Sequence, residues 1–226
     1  MGHNTTMLSA WIWKNKVLWL VLLVGIGVGL DQATKLWAED ALTRPHEVTK
    51  TRIVDGNPVE VTEAKRIPKR SIEVVPGFFN FKYAENPAAA FSLTGSLPDW
   101  LRRPMLLLIS SLASLFLIVW YLKMREADAL LMTAFALIVA GAVGNLIDRA
   151  RLGYVIDFLD LYISHPGMAR WLAEHLGTAH WPTFNIADMC IVGGAIGVIF
   201  RTVRPLSATS GETPPQDKTG AAPAAA

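Results

Sequence analysis

Cysteine is almost missing from this chain: Cys190 is the one thiol among 226 residues. That excludes an intramolecular disulfide framework and any cysteine-rich metal site. Cys190 lies within an apolar run and reads as a packing residue. Charge is scarce as well, with Asp, Glu, Lys and Arg at 18%, against about 25% in an ordinary soluble domain. The net charge of +2 and the lack of a basic-aromatic stripe argue against nucleic acid as a partner. No HExxH motif occurs, and His165, His175 and His180 lack helical metal-ligand spacing, so no metal is expected. Ser110, Ser111 and Ser114 sit in an apolar block without a Lys or His beside them. They read as helix-packing residues rather than nucleophiles.

What the chain has is apolar sequence, 52% of it, gathered in blocks. Four blocks reach the roughly 20 residues that a membrane-spanning helix needs. They run over about 17–37, 104–122, 129–147 and 184–200. The first follows Lys14 and Lys16 as a signal peptide would, but its apolar run continues towards Trp37 and three more spans follow. An uncleaved anchor is the expected outcome. Residues 1–203 then form a single four-helix membrane domain. The remainder, 204–226, is rich in Pro, Ala, Thr and Gly and reads as a disordered tail.

With both termini in the cytoplasm, the inner segments hold Lys14, Lys16, Lys123, Arg125, Arg201, Arg204 and Lys218. The loop at 150–183 holds Arg149, Arg151 and Arg170 at its edge or within it. The long loop at 38–103 holds ten Lys and Arg, which alone would reverse the vote. Long loops translocate largely regardless of charge, so the short segments decide for cytoplasmic termini. Within the long loop, Thr43 to Arg70 is polar, with Asp55-Gly56-Asn57-Pro58 as a turn signal. Ser71 to Leu93 is rich in β-branched and aromatic residues broken at Pro76-Gly77, and predicts short strands of a small surface sheet. Met168 to Leu176 predicts an amphipathic interfacial helix, with Trp171 and Trp181 as anchors. Gly25, Gly27, Gly29, Gly141, Gly144, Gly193 and Gly197 mark candidate close contacts between helices.

Ionisable groups inside spans are costly and face a partner or a cavity. Asp31 and Lys35 are four apart, on one helix face. They read either as an ion pair supporting the bundle or as part of a site. Asp148 and Arg149 either mark the water boundary or belong to that site, and Asn145 lies one turn deeper. Asp157 stands in Val155-Ile156-Asp157-Phe158, too apolar for an ordinary loop. Asp188 opens the fourth span, where the helix dipole favours a carboxylate. Asn185 is either its N-cap or a ligand-facing amide. The third and fourth spans are antiparallel, so Asp157 and Asp188 can meet at the outer interface, flanked by Asn145, Arg149 and Asn185. Two partly desolvated carboxylates do not both ionise easily and should share a proton near neutral pH. One can activate water while the other protonates a leaving amine, the arrangement of an aspartic protease. A small transporter or proton channel is disfavoured, since these acids cluster at one interface rather than at several depths. A non-enzymatic scaffold leaves the polar cluster unexplained.

Five motifs in order resemble the lipoprotein signal peptidase (signal peptidase II) family. They are Asp31-Gln32-Ala33-Thr34-Lys35; Val75-Pro76-Gly77-Phe78 leading to Asn86-Pro87-Ala88-Ala89-Ala90-Phe91; Gly144-Asn145-Leu146-Ile147-Asp148-Arg149; Gly153-Tyr154-Val155-Ile156-Asp157-Phe158; and Phe184-Asn185-Ile186-Ala187-Asp188. The resemblance covers Leu18 to Phe200. It implies a four-helix, all-α polytopic membrane protein with a small extracytoplasmic β-sheet cradle. It also implies an aspartic endopeptidase of the bacterial inner membrane, with its site at the periplasmic face, needing no cofactor. Its substrates would be lipid-modified prolipoproteins, cut before the diacylglyceryl cysteine, and it would work in membrane lipid as a monomer. The family's catalytic pair falls on Asp157 and Asp188. Asn86, Asn145, Arg149 and Asn185 would hold the substrate backbone or orient the acids, with Asp31 and Lys35 in support. Two departures stand out. Ala88 occupies a turn position where the family usually has glycine, at a cost of about 1 kcal/mol if φ must be positive there. Thr43–Arg70 and Ser164–Thr178 look like insertions.

Overall fold

The apolar blocks become helices. The structure, a computed structural model, describes residues 2–55, 57–87, 98–124 and 128–203. The expectations for Ala88, for the rest of its motif to Phe91 and for the tail lie outside these residues. A short helix α1 (Gly2–Lys14) leads through Asn15 into α2 (Lys16–Leu42). A hairpin of two strands follows, β1 (Thr43–Val54) and β2 (Asn57–Pro68), then β3 (Ile72–Val75) and β4 (Phe79–Asn86). After α3 (Asp99–Lys123) and α4 (Ala129–Leu152) come β5 (Val155–Leu161), α5 (Pro166–Leu176) and α6 (Ile186–Val203). Among the described residues, α2, α3, α4 and α6 are long and apolar enough to cross a membrane.

The helices overrun the expected spans because polar residues continue them. α4 carries Asp148, Arg149 and Arg151 as helix and stops only at Gly153, whose φ of 79° is left-handed and whose N–H bonds the Arg149 carbonyl. Glycine is suited to that C-terminal conformation. α3 begins ahead of Pro104, at Asp99, and takes the proline near its start. α6 starts two residues later than expected, after Asn185. α1 was not anticipated: its early residues are polar, and the burial of Ile12 against Leu20, Tyr121 and Met132 depends on helices far along the chain.

α4 is the central helix. It packs against α2, α3 and α6, and 44% of its apolar window is buried, against 11% to 17% for the other three. Those three turn large apolar side chains outward, such as Leu108, Leu112 and Phe116 of α3 and Val192 and Ile196 of α6. A surface of that kind belongs in hydrocarbon. With no water to drive helix association, small residues set the contacts. A Cβ at Gly141 would stand 2.2 Å from the Ala187 carbonyl oxygen, and one at Gly194 2.5 Å from that of Ala134. Gly27, Gly144 and Gly197 are also close-packed, whereas Gly25, Gly29 and Gly193 face open space. In α6 the tight pair is therefore Gly194 and Gly197, not the Gly193–Gly197 pair that the spacing suggested.

Among the described residues the strands form two antiparallel sheets, β1-β2 and β3-β4-β5. At the β1-β2 connection Val54 lies opposite Asn57. Asp55 has φ 50°, a left-handed conformation that Asp tolerates in turns. β3 and β4 are the strands expected on either side of Pro76-Gly77. β5 was not expected as a strand. Its residues from Val155 to Asp160 are all buried, so neither face alternates with water and the period-2 signal is absent. It lies between β4 and the start of α6, with Phe81 and Leu159 paired and Leu159 bridged to Phe184. A core of Ala38, Leu42, Tyr83, Ile156, Phe158 and Leu159 fixes this sheet onto the end of α2. α5 forms over the expected amphipathic stretch, with Met168, Trp171 and Leu176 exposed.

Candidate active site

A buried ammonium organises the polar region at the sheet end of the bundle. Lys35 is 2% exposed. Its three donors find three acceptors: Asp31 Oδ2 at 2.8 Å, Asp148 Oδ2 at 2.8 Å and Asn145 Oδ1 at 3.0 Å. Asp31 and Asp148 are as deeply buried, and each also holds backbone elsewhere. Asp31 Oδ1 accepts from the Ala187 N–H, at 2.9 Å, in the first turn of α6. That N–H has no partner within its own helix, and a carboxylate suits the positive helix end. Asp148 Oδ2 accepts from Ile156 N–H of β5 at 3.1 Å, and its Oδ1 from Gln32 at 2.9 Å. The Asp31–Lys35 pair is thus both structural and site-directed. Removing one partner from such a buried set typically costs about 3–5 kcal/mol.

Gln32 is a member that sequence reasoning did not single out, and Asp148 is one that it left open. Asp148 was left open as a water-boundary residue, and it is 1% exposed. Its spacing from Asn145, three residues along α4, is the signal that places both on one face.

The next layer carries the two acids. Lys35 can only donate, so the Asn145 carbonyl oxygen must face it and the Asn145 amide must face outward. That amide donates to Asp188 Oδ1 at 2.8 Å. Asn185 is fixed by the same logic. Its Oδ1 accepts from Asp188 N–H at 3.0 Å, and Asp188 Oδ2 accepts from Asn185 N–H at 3.2 Å. This is a reciprocal capping box in which Asn and Asp stand for the usual Ser and Glu. The Asn185 amide is left to donate to Asp157 Oδ1, at 2.7 Å. Asn185 is therefore the N-cap and also the residue that joins the two acids. Asp157 Oδ2 accepts from the Asn86 amide at 3.0 Å, where the end of β4 pairs with β5.

Asp157 is 2% exposed. Its carboxyl is pushed up to about 6 from an ordinary 3.8. Burial is the main cause; the Asn86 donor opposes it, the charge of Asp188 adds to it, and the Asn185 donor and Lys35 oppose it. Asp188 is half-buried. Both acids open onto a cavity of about 620 Å³, with Asn86, Asn145 and half-buried Arg149 around its polar end. Its apolar wall is Met189, Val192, Gly193 and Ile196 of α6. Met189, Val192 and Ile196 are more than half exposed, so the cavity opens along a helix face that meets lipid. The eight side chains singled out in the sequence are all brought to this region: Asp157, Asp188, Asn86, Asn145, Arg149 and Asn185 at the cavity or its acids, Asp31 and Lys35 directly behind. Chemically, the arrangement offers two carboxyl groups and several amide donors beside an apolar channel.

The family model for signal peptidase (SPase) II matches residues 23–204. The chain belongs to the signal peptidase II family. The match takes in α2 from residue 23 onward, α3, α4, α6, the β3-β4-β5 sheet and the site. A lipoprotein signal peptidase from Desulforapulum autotrophicum is 38% identical over 184 residues, covering 81% of this chain and 91% of its own length. One from Psychromonas ingrahamii is 34% identical over 189 residues, covering 84% and 86%. A solved structure described as a bacterial membrane enzyme superposes with a TM-score of 0.58 at 24% identity, covering 86% of this chain and 93% of the other. It bears on the fold alone. Membership in signal peptidase II makes the chain a peptidase by family, and its four apolar helices fit a multi-pass membrane protein.

Proposed function

We propose that this chain is an intramembrane aspartic endopeptidase that removes signal peptides from diacylglyceryl-modified prolipoproteins, cutting before the lipidated cysteine. The observation that carries the reading is a pair of carboxyl groups joined through Asn185 at the polar end of a cavity whose apolar wall faces lipid. A substrate of this class has the same two characters: a peptide bond at the membrane surface and acyl chains that remain in the bilayer. Seating the chains along Met189, Val192 and Ile196 would set the bond against the acids, so lipid binding does the positioning.

In the reaction, the ionised member of the Asp157–Asp188 pair takes a proton from water as the water oxygen adds to the scissile carbonyl carbon. The protonated member gives its proton to the carbonyl oxygen. As the tetrahedral species collapses, one of its hydroxyls returns a proton to the ionised acid and the carbonyl re-forms; the C–N bond breaks, and the protonated acid gives its proton to the departing cysteine amine. The acids end with one shared proton, as they began. Asn86, Asn145 and Asn185 keep the carboxyl groups in position, and Arg149 places a fixed positive charge beside the oxygen on which negative charge develops. Asp31 and Lys35 hold this layer from behind. The dyad needs no metal or organic cofactor for these steps. Both termini lie in the cytoplasm and the site lies at the periplasmic face of the inner membrane, with a monomer as the working unit.

The test is cleavage of one prolipoprotein in two forms, with and without the diacylglyceryl group, by the purified full-length chain. The expected result is signal-peptide release from the lipidated form, with little from the other. Equal cleavage of both forms, or of neither, contradicts the proposal.

A further inference from the structure

A second cavity adjoins the one that holds the acids. It has a volume of about 270 Å³ and lies between the end of β5 and α5. Leu161 and Trp181 line both cavities. The rest of the large apolar lining is Phe78, Ile163, Leu172 and Leu176. Among the described residues, no Asp, Glu, Lys or Arg lines it. Its polar side chains already have partners. Thr178 Oγ1 accepts from His180 N–H at 3.0 Å, and His180 Nδ1 meets buried Asp160 at 3.0 Å. The Tyr162 hydroxyl donates to Glu73 and accepts from Gly77 N–H.

One wall of the cavity is held by a short backbone ladder. Ile163 N–H bonds the Ala179 carbonyl at 3.1 Å, Trp181 N–H bonds the Leu161 carbonyl at 2.8 Å, and Tyr162 stacks on His180 between them. The other wall is α5, which contributes Leu172 and Leu176 to the lining yet has no buried residue. Phe78, Leu176 and Trp181 are more than half exposed. The helix therefore covers an apolar gap that its own side chains leave unfilled, and an apolar group seated there would take that surface out of water.

The substrate's route identifies the group. Under the catalytic reading proposed for the acids, on which this inference rests, the signal peptide and the acyl chains both return to hydrocarbon. The mature polypeptide is the part that leaves towards the sheet. Leu161 stands four residues past Asp157 on β5, on the same face, about 13 Å away at the roughly 3.3 Å per residue of a strand. An extended mature chain covers that span in about four residues, counting the lipidated cysteine as the first. The volume, about 270 Å³, falls below the roughly 300–1,000 Å³ of a whole small-molecule site and suits a single side chain. We propose that this cavity is a specificity subsite for an apolar side chain at about the fourth residue of the mature lipoprotein. Its outer wall comes from 164–178, the segment that the sequence marks as an insertion.

The experiment measures kcat/KM of the purified full-length chain on diacylglyceryl prolipoproteins. They carry Leu, Ser or Asp at the third, fourth or fifth residue of the mature chain, each made with long and with short acyl chains. The wild type is expected to favour Leu over Ser by about tenfold at one of these positions, the low end of what burying such a side chain returns, and to disfavour Asp. Leu172→Lys should bring the Leu and Ser substrates level and raise Asp above Ser, a gain that a damaged fold cannot produce. Ala179→Leu, which fills the cavity from the ladder side, should erase the Leu preference without helping Asp. No dependence on these residues in the wild type, or a Leu preference that survives in either folded variant, overturns the proposal and leaves the cleavage reading intact. An effect of Leu172→Lys that follows acyl length instead of residue identity assigns the cavity to lipid and overturns it as well. Failure of the wild type to cleave any lipidated substrate overturns both readings.

Discussion

Lys35 spends all three of its donors on buried acceptors, and each acceptor holds a different element: Asp31 the start of α6, Asp148 the start of β5, Asn145 the second acid. The acids are thus set by a residue that touches neither. At the same scale, Asp157 carries a pH signature. Its folded value, about 6, stands above the ordinary 3.8, so the folded chain holds this proton more tightly than the unfolded one. The resulting stability is complete below the unfolded value and is lost as pH rises through about 6. It amounts to about 2–3 kcal/mol. Unfolding of the wild type and Asp157→Asn in detergent, compared from acid to neutral pH, should show that slope in the wild type and a flatter one in the variant. Equal slopes contradict the assignment. The Asp31–Lys35 contact was legible from four-residue spacing. The place of Asp148 was not, because an Asp-Arg pair at the end of an apolar run looks the same whether it meets water or a buried ammonium. Only the position of α2 decides.

At the scale of elements, the first turn of α6 does two jobs with one residue. Asn185 caps the helix with its oxygen and donates to Asp157 with its nitrogen. The two jobs are separable. Asn185→Ser keeps a capping oxygen and should leave thermal stability close to wild type, while Asn185→Ala should cost about 1 kcal/mol. Both remove the donor to Asp157, so both should lower kcat. A serine variant with full kcat would show that the amide serves only the helix. The FNIAD motif made both roles readable as alternatives, but not their coexistence, which needs β5 to pass beside α6. β5 itself escaped notice because its two faces are buried. The β3-β4 hairpin was visible because its half-exposed strands are interrupted by Pro76-Gly77. Glycine spacing in α6 pointed to the wrong pair, since a repeat of four does not say which face of the helix meets α4.

Over the whole molecule, the four spans and the small sheet were readable from apolar length and strand composition, and 43–70 and 164–178 stood out as segments between them. Their shapes were not, since nothing in 43–70 apart from the turn signal distinguishes a long hairpin from a loop. The hairpin joins the frame where Lys69 N–H bonds the Leu42 carbonyl at 2.8 Å, so its base is already closed. Replacing residues 44–67 with a short Gly-Ser turn should leave a monodisperse protein that still cleaves its substrate at close to the wild-type rate, because loop length affects stability only slowly. Loss of folding on that replacement would show that the hairpin is part of the frame. The central claim is that Asp157 and Asp188 form one catalytic unit. The most direct measurement is the cleavage rate of a diacylglyceryl prolipoprotein by purified Asp157→Asn and Asp188→Asn, each shown to insert and fold as the wild type does. The account predicts that either substitution alone abolishes cleavage. Substantial activity in either folded variant would contradict it.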